Sequence, residues 1–124
     1  MPILEIEIVL RPGEALAVGL AARLADAAAG VLRSPPRSTW VKLRELATGY
    51  FAENGAGPEA DTFPVFVSVL KAENVPEQLA DEAPRLAEAV GGLCGRPREN
   101  VHIIFEPKGG GRVAFGGKLL QSQN

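Results

Sequence analysis

The residue best placed to do unusual chemistry is Pro2, which would carry a free secondary amine if Met1 were removed. An α-amino group titrates at about 8, nearer neutrality than any lysine, and burial or neighbouring cations lower it further. Fixed at the end of a sheet, such an amine can act as a general base. Proline is also tolerated at the first residue of a strand on structural grounds alone, so position by itself leaves both readings open. Few other reactive groups accompany it. Cys94 is the only cysteine, which excludes an internal disulfide and a thiolate-cluster metal site and fits a reducing compartment, most simply the cytoplasm. His102 is the only histidine and has no second ligand in pattern, so no metal and no cofactor are assigned. Gly109-Gly110-Gly111 has no helix after it and is therefore no phosphate cradle.

The elements that must position Pro2 follow from hydropathy patterning. Ile3 to Val9 alternates Leu4, Ile6 and Ile8 with Glu5 and Glu7, a strand with one apolar and one charged face that opens directly behind Met1-Pro2 with no leader. After a turn at Arg11-Pro12-Gly13, Leu16, Leu20, Leu24, Ala28 and Val31 predict a helix over 14–32, which Pro35-Pro36 ends. Arg23 and Asp26 within it mark a soluble helix rather than a membrane span. A second strand is predicted over 39–46, parallel to the first through a right-handed crossover. A polar loop over 49–62 leads to a third strand at 64–70. A helix over 74–93 follows, with Pro76 suited to its first turn and Pro84 predicting a kink or a late start near Ala83. The fourth strand is predicted over 100–105, and the glycine-rich stretch to Gly117 as a hairpin or tail.

The chain thus reads as one domain, 1–124, made of two similar units over about 1–60 and 61–124. The predicted class is α+β: a duplicated βαβ unit forming a four-stranded mixed sheet with two helices on one face. The uncovered face is predicted to carry Glu5, Glu7, Trp40, Lys42, Arg44, Val65, Val67, Val69, His102 and Ile104, with the glutamates available to compensate the cations. So much exposed apolar surface implies self-association. With 124 residues, 46% hydrophobic content, a net charge of -2 and a pI near 5.4, the chain can bury one core and offers nothing to nucleic acid or an anionic membrane.

These residues resemble the tautomerase superfamily, which includes 4-oxalocrotonate tautomerase, macrophage migration inhibitory factor and the cis-3-chloroacrylic acid dehalogenases. The resemblance spans nearly the whole chain. It rests on Met1-Pro2 opening into a strand, on the duplicated unit, and on two tails, Glu45-Leu46-Ala47-Thr48-Gly49-Tyr50-Phe51 and Glu106-Pro107-Lys108-Gly109 through Gly116-Gly117-Lys118-Leu119. It implies a homotrimer whose sheets surround a central channel, and Pro2 as the base in keto-enol tautomerisation of a small 2-oxo or unsaturated carboxylic acid.

The carry-over is incomplete. The early basic residue of 4-oxalocrotonate tautomerase falls on Pro12, beside Arg11. Its strand arginine falls on Trp40 and His102, and its pocket phenylalanine on Phe51 and Val113. The loop arginines of the dehalogenases fall on Ala72 and Val75, near Lys71, and their catalytic glutamate near Ala114. Hydrolytic dehalogenation is therefore disfavoured. A plain tautomerase needs the base, a cation for the substrate carboxylate and an apolar wall around the enol. The candidate cations are Arg11, Lys71, His102 and Arg112, and the candidate wall is Trp40, Tyr50, Phe51 and Val113. The alternative is a catalytically silent trimeric binding or structural member of the same fold.

Overall fold

The computed structural model describes residues 2–57 and 61–122. Four strands form one sheet: β1 (Ile3–Val9), β2 (Trp40–Leu46), β3 (Val65–Leu70) and β4 (Val101–Phe105). Their order is β2-β1-β3-β4. β1 and β2 are parallel through α1 (Leu20–Leu32), β3 and β4 are parallel through α2 (Pro76–Cys94), and β1 and β3 meet antiparallel at the centre. The result is two βαβ units side by side. A small hairpin, β5 (Ala114–Phe115) and β6 (Lys118–Leu119), ends the chain, as the glycine-rich tail predicts.

The core lies between the sheet and both helices. Leu4, Ile6 and Ile8 from β1 and Val65, Val67 and Val69 from β3 join Leu24 and Ala28 of α1 and Leu86 and Val90 of α2 in one buried cluster. This corrects the predicted composition of the uncovered face. The register pairs Leu4 with Val69, Ile6 with Val67 and Ile8 with Val65, and cross-strand partners share a face. The three valines are therefore core. Phe66, Ser68 and Leu70 take their place on the open face, beside Glu5, Glu7, Trp40, Lys42, Arg44, His102 and Ile104. Glu5 there pairs with both Lys42, at 3.3 Å, and Arg44, so the expected compensation is carried by Glu5.

Two helix boundaries also differ from prediction. α1 starts at Leu20, not at Glu14, because Gly19 ahead of it takes the left-handed conformation, φ 82°, which a right-handed helix cannot continue through, and Glu14 serves a tertiary partner instead. Arg96, its side chain 1% exposed, donates Nη2 to Glu14 Oε1 at 2.7 Å and Nη1 to Oε2 at 2.9 Å. Its remaining N–H groups reach the carbonyls of Val9, Phe63 and Cys94. One guanidinium thus ties the ends of β1 and α2 to the approach to β3, a bidentate geometry that only arginine offers. α2 in turn begins at Pro76 and runs unbroken through Pro84. Pro84 and Ala80, whose carbonyl loses its donor, are both exposed, so neither ring nor carbonyl is forced into the core.

Candidate active site at Pro2

Pro2 is buried at one end of the sheet, ahead of the inner strand β1, and lines a cavity of about 210 Å³. Its surroundings follow from topology. Because β1 and β3 are antiparallel with Ile3 opposite Leu70, the residue before β1 meets those after β3, and Lys71 and Glu73 form one wall. Because β2 is parallel to β1, the chain leaving α1 returns to the same end, and Arg33, Ser34 and Pro35 form the other. The Pro2 carbonyl accepts the Trp40 N–H at 3.0 Å, which fixes the residue ahead of the strand.

The two cationic side chains in this cavity differ. Lys71 Nζ donates to Glu82 Oε1 at 2.8 Å, with the side chains 13% and 10% exposed. The Arg33 guanidinium makes no hydrogen bond or ion pair with another described residue. Arg33 also sits in the left-handed region, φ 56°, at the end of α1, a position usually given to glycine. Glu73 is bonded to Lys108 Nζ at 3.4 Å.

The tail closes the same end from β4. Gly109 and Gly110 donate to the carbonyls of Lys71 and Ala72 at 2.7 and 2.9 Å. Phe115 packs edge-on against Trp40 with ring centroids 5.6 Å apart. As β4 and β2 are the two outer strands, this tail crosses the full sheet width, about 14 Å. A Cβ on Gly110 would fall 3.0 Å from the Ala72 carbonyl, which is why the crossing needs glycine there. Val113 lies in this tail beside Gly109. Arg112 is exposed and donates to the carbonyls of Lys108 and Pro107.

The remaining predicted site residues gather at the other end of the sheet, roughly 20 Å away along β1. Arg11 pairs with Glu14 at 3.4 Å, donates to the Gly95 carbonyl at 3.1 Å and lies 5.8 Å above the Phe63 ring. His102 is exposed and stacks obliquely on Phe66, itself 5.9 Å from Phe51. Phe51 and Phe63 line a separate cavity of about 330 Å³, and Tyr50 is 81% exposed. The structure brings Lys71, Trp40 and the tail to Pro2, and does not bring Arg11, His102, Tyr50 or Phe51 there. Burial pushes the Cys94 thiol up to about 11, which removes it as a nucleophile at neutral pH.

Three residues at the Pro2 end escape a reading of the sequence: Arg33, Glu73 and Glu82. Arg33 has a topological signal, since a parallel crossover must return the end of α1 to the start of β1. Glu82 has a periodic one, being a carboxylate four residues before Leu86 and eight before Val90, on the buried stripe of α2. Glu73 has none. Among the described residues no group of three or more His, Cys, Asp or Glu side chains could hold a metal, and no helix is long and apolar enough to cross a membrane.

No family model matches the chain, and no curated protein matches it in sequence. Solved structures do match in shape. Leishmania major MIF2 is 18% identical with a TM-score of 0.72, the match covering 96% of this chain and 97% of that one. A fused 4-OT, a symmetric trimer, is 20% identical with a TM-score of 0.74 over 94% of both chains. A protein inactivated by 2-oxo-3-pentynoate is 20% identical with a TM-score of 0.73 over 94% of both. These are tautomerase-superfamily structures, and the chain has their fold.

Proposed function

We propose that this chain, once Met1 is removed, is a tautomerase in which the Pro2 amine carries a proton between the oxygen and the carbon of a small 2-oxo or enol acid. The observation that supports this most directly is that Pro2 lines one cavity together with Arg33 and Lys71. A neighbouring cation such as Arg33 favours the neutral amine, the form a general base needs. In the enol-to-keto direction the prolyl nitrogen takes the O–H proton to leave an enolate, then returns that proton to carbon as the C=C electrons form the C–H bond, which restores the neutral amine and forms the C=O, while Arg33 holds the carboxylate. The inactivation of a protein of the same fold by a 2-oxo acid is consistent with that substrate class.

The assembly we propose is a trimer, as in the fused 4-OT of the same fold. Trp40 and Ile104, 53% and 57% exposed, keep apolar surface on the open sheet face. A three-fold arrangement would cover that face with the neighbouring protomers.

The test pairs two measurements. Intact mass of the purified natural protein is expected to lack Met1, and Pro2→Ala is expected to lower ketonisation of phenylenolpyruvate at least a hundredfold, the scale of a lost general base. Retained Met1 or an active Pro2→Ala chain removes the chemistry and leaves a binding protein of this fold.

A further inference from the structure

We infer that the Pro2 cavity selects a monocarboxylate over a dicarboxylate, because the Lys71–Glu82 ion pair cancels one of its two cations and leaves Arg33 to hold a single carboxyl group. This rests on the cavity being the substrate site proposed above, and it goes further by fixing how many negative charges the site accepts.

The charge inventory is short. Lys71 lines the Pro2 cavity, and its ammonium lies 2.8 Å from Glu82 with both side chains nearly buried. In surroundings of low dielectric a contact of that length is strong, and separating it to free Lys71 would leave an unpaired buried carboxylate on α2. Glu73, on the same wall, is bonded to Lys108 at 3.4 Å. Behind Arg33 and Lys71 lies a second cavity of about 230 Å³, reached also by Asp81 and Glu82, and Asp81 is paired with Arg85 at 3.1 Å. Every charged side chain around the two cavities therefore has an opposite-sign partner, with Arg33 the exception among the described residues. Arg33 is exposed, so a ligand in the cavity can reach its guanidinium. A substrate with one carboxylate neutralises the wall; a second carboxylate finds no cation and meets Glu73.

Calorimetric titration of the processed chain with 2-oxohexanoate and 2-oxoadipate tests this, since the two six-carbon acids differ in a terminal methyl against a carboxylate. The wild type is expected to bind 2-oxohexanoate at least tenfold more tightly. Glu82→Gln, which frees Lys71, is expected to improve 2-oxoadipate binding at least tenfold. The double substitution Lys71→Met with Glu82→Leu removes the pair without stranding a charge, and is expected to keep 2-oxohexanoate affinity within threefold; it decides the matter if Glu82→Gln does not fold. Equal or tighter binding of 2-oxoadipate by the wild type overturns the inference. So does a tenfold loss of 2-oxohexanoate in the double variant, because Lys71 would then be the carboxylate holder. Loss of Pro2-dependent turnover with the binding ratios intact sinks the proposed chemistry alone, whereas wrong ratios with Pro2-dependent turnover sink the charge argument alone.

Discussion

The backbone N–H of Trp40 donates to the Pro2 carbonyl at 3.0 Å, and through it the first rung of the β1–β2 ladder extends one residue past the strand, to the proposed base itself. The Pro2 carbonyl is thus a main-chain handle by which the sheet grips the residue. The same Trp40 carries the Phe115 ring of the tail. One residue of β2 thus fixes Pro2 through its backbone and the covering tail through its side chain.

Arg33→Gly separates a binding role from a structural one. Relief of the left-handed strain is expected to leave the fold unchanged or more stable by up to about 1 kcal/mol. Loss of the guanidinium is expected to raise KM for a 2-oxo monoacid at least tenfold with a smaller change in kcat. Urea unfolding and steady-state kinetics on the same preparation read both, and a stable variant with unchanged KM would remove Arg33 from the site.

Acid stability is expected to hinge on Glu14. The Arg96 guanidinium holds its carboxyl down at about 2, from 4.5. A carboxyl depressed in the folded state stabilises above its unfolded value, so the full contribution is present above about 4.5 and is lost as pH falls from there through about 2. Glu14→Gln is expected to flatten that part of the stability curve. Arg96→Met, which leaves the Glu14 carboxylate to Arg11 alone and strands three carbonyls, is expected to cost about 3 kcal/mol near neutrality. Urea midpoints measured between pH 2 and 7 distinguish these outcomes.

Gly110→Ala is expected to loosen the tail. The new Cβ would meet Glu73 Oε2 at 2.3 Å and the Ala72 carbonyl at 3.0 Å, and although the carboxylate can swing aside the backbone cannot. A cost of about 1 to 3 kcal/mol is expected from such overpacking. Faster hydrogen exchange at the Gly109 and Gly110 amides, with β1 and β3 still protected, would localise it.

Phe115→Ala gives an optical readout of the same docking. Trp40 is the only tryptophan, and the Phe115 ring meets it edge-on. Its emission is expected to shift to the red and its quenching by acrylamide to rise, with the far-ultraviolet dichroism of the sheet and helices retained. An unchanged spectrum would mean that the tail does not rest on Trp40 in solution.

Much of the architecture was legible in the residues themselves. Alternation in β1 and β2, the 3.6-residue stripes of both helices and the Pro35-Pro36 break are local signals, set by which side chains one short segment must bury. Repetition of the unit gave the mixed sheet, and the opening Met1-Pro2 gave the candidate base. The phase of β3 was not legible, because Val65-Phe66-Val67-Ser68-Val69-Leu70 offers apolar residues to both faces. The start of α1 was not legible either, because Gly19 fits inside a helical stripe at modest cost until it takes the left-handed conformation that sets the boundary.

What the sequence alone determined is which segments are helix and strand, and that a proline amine could stand at the head of the central strand. What only the tertiary structure decided is the company that amine keeps. Lys71 and Arg33 reach Pro2, while Arg11 and His102 lie a strand length away, because an antiparallel β1–β3 pair and a parallel β1–β2 pair bring different segments to one end of the sheet. Whether a cation there is free or cancelled is likewise a matter of three-dimensional neighbours. Glu82 reaches Lys71 from the second helix, and Coulomb attraction depends on distance in space, with no regard for separation along the chain.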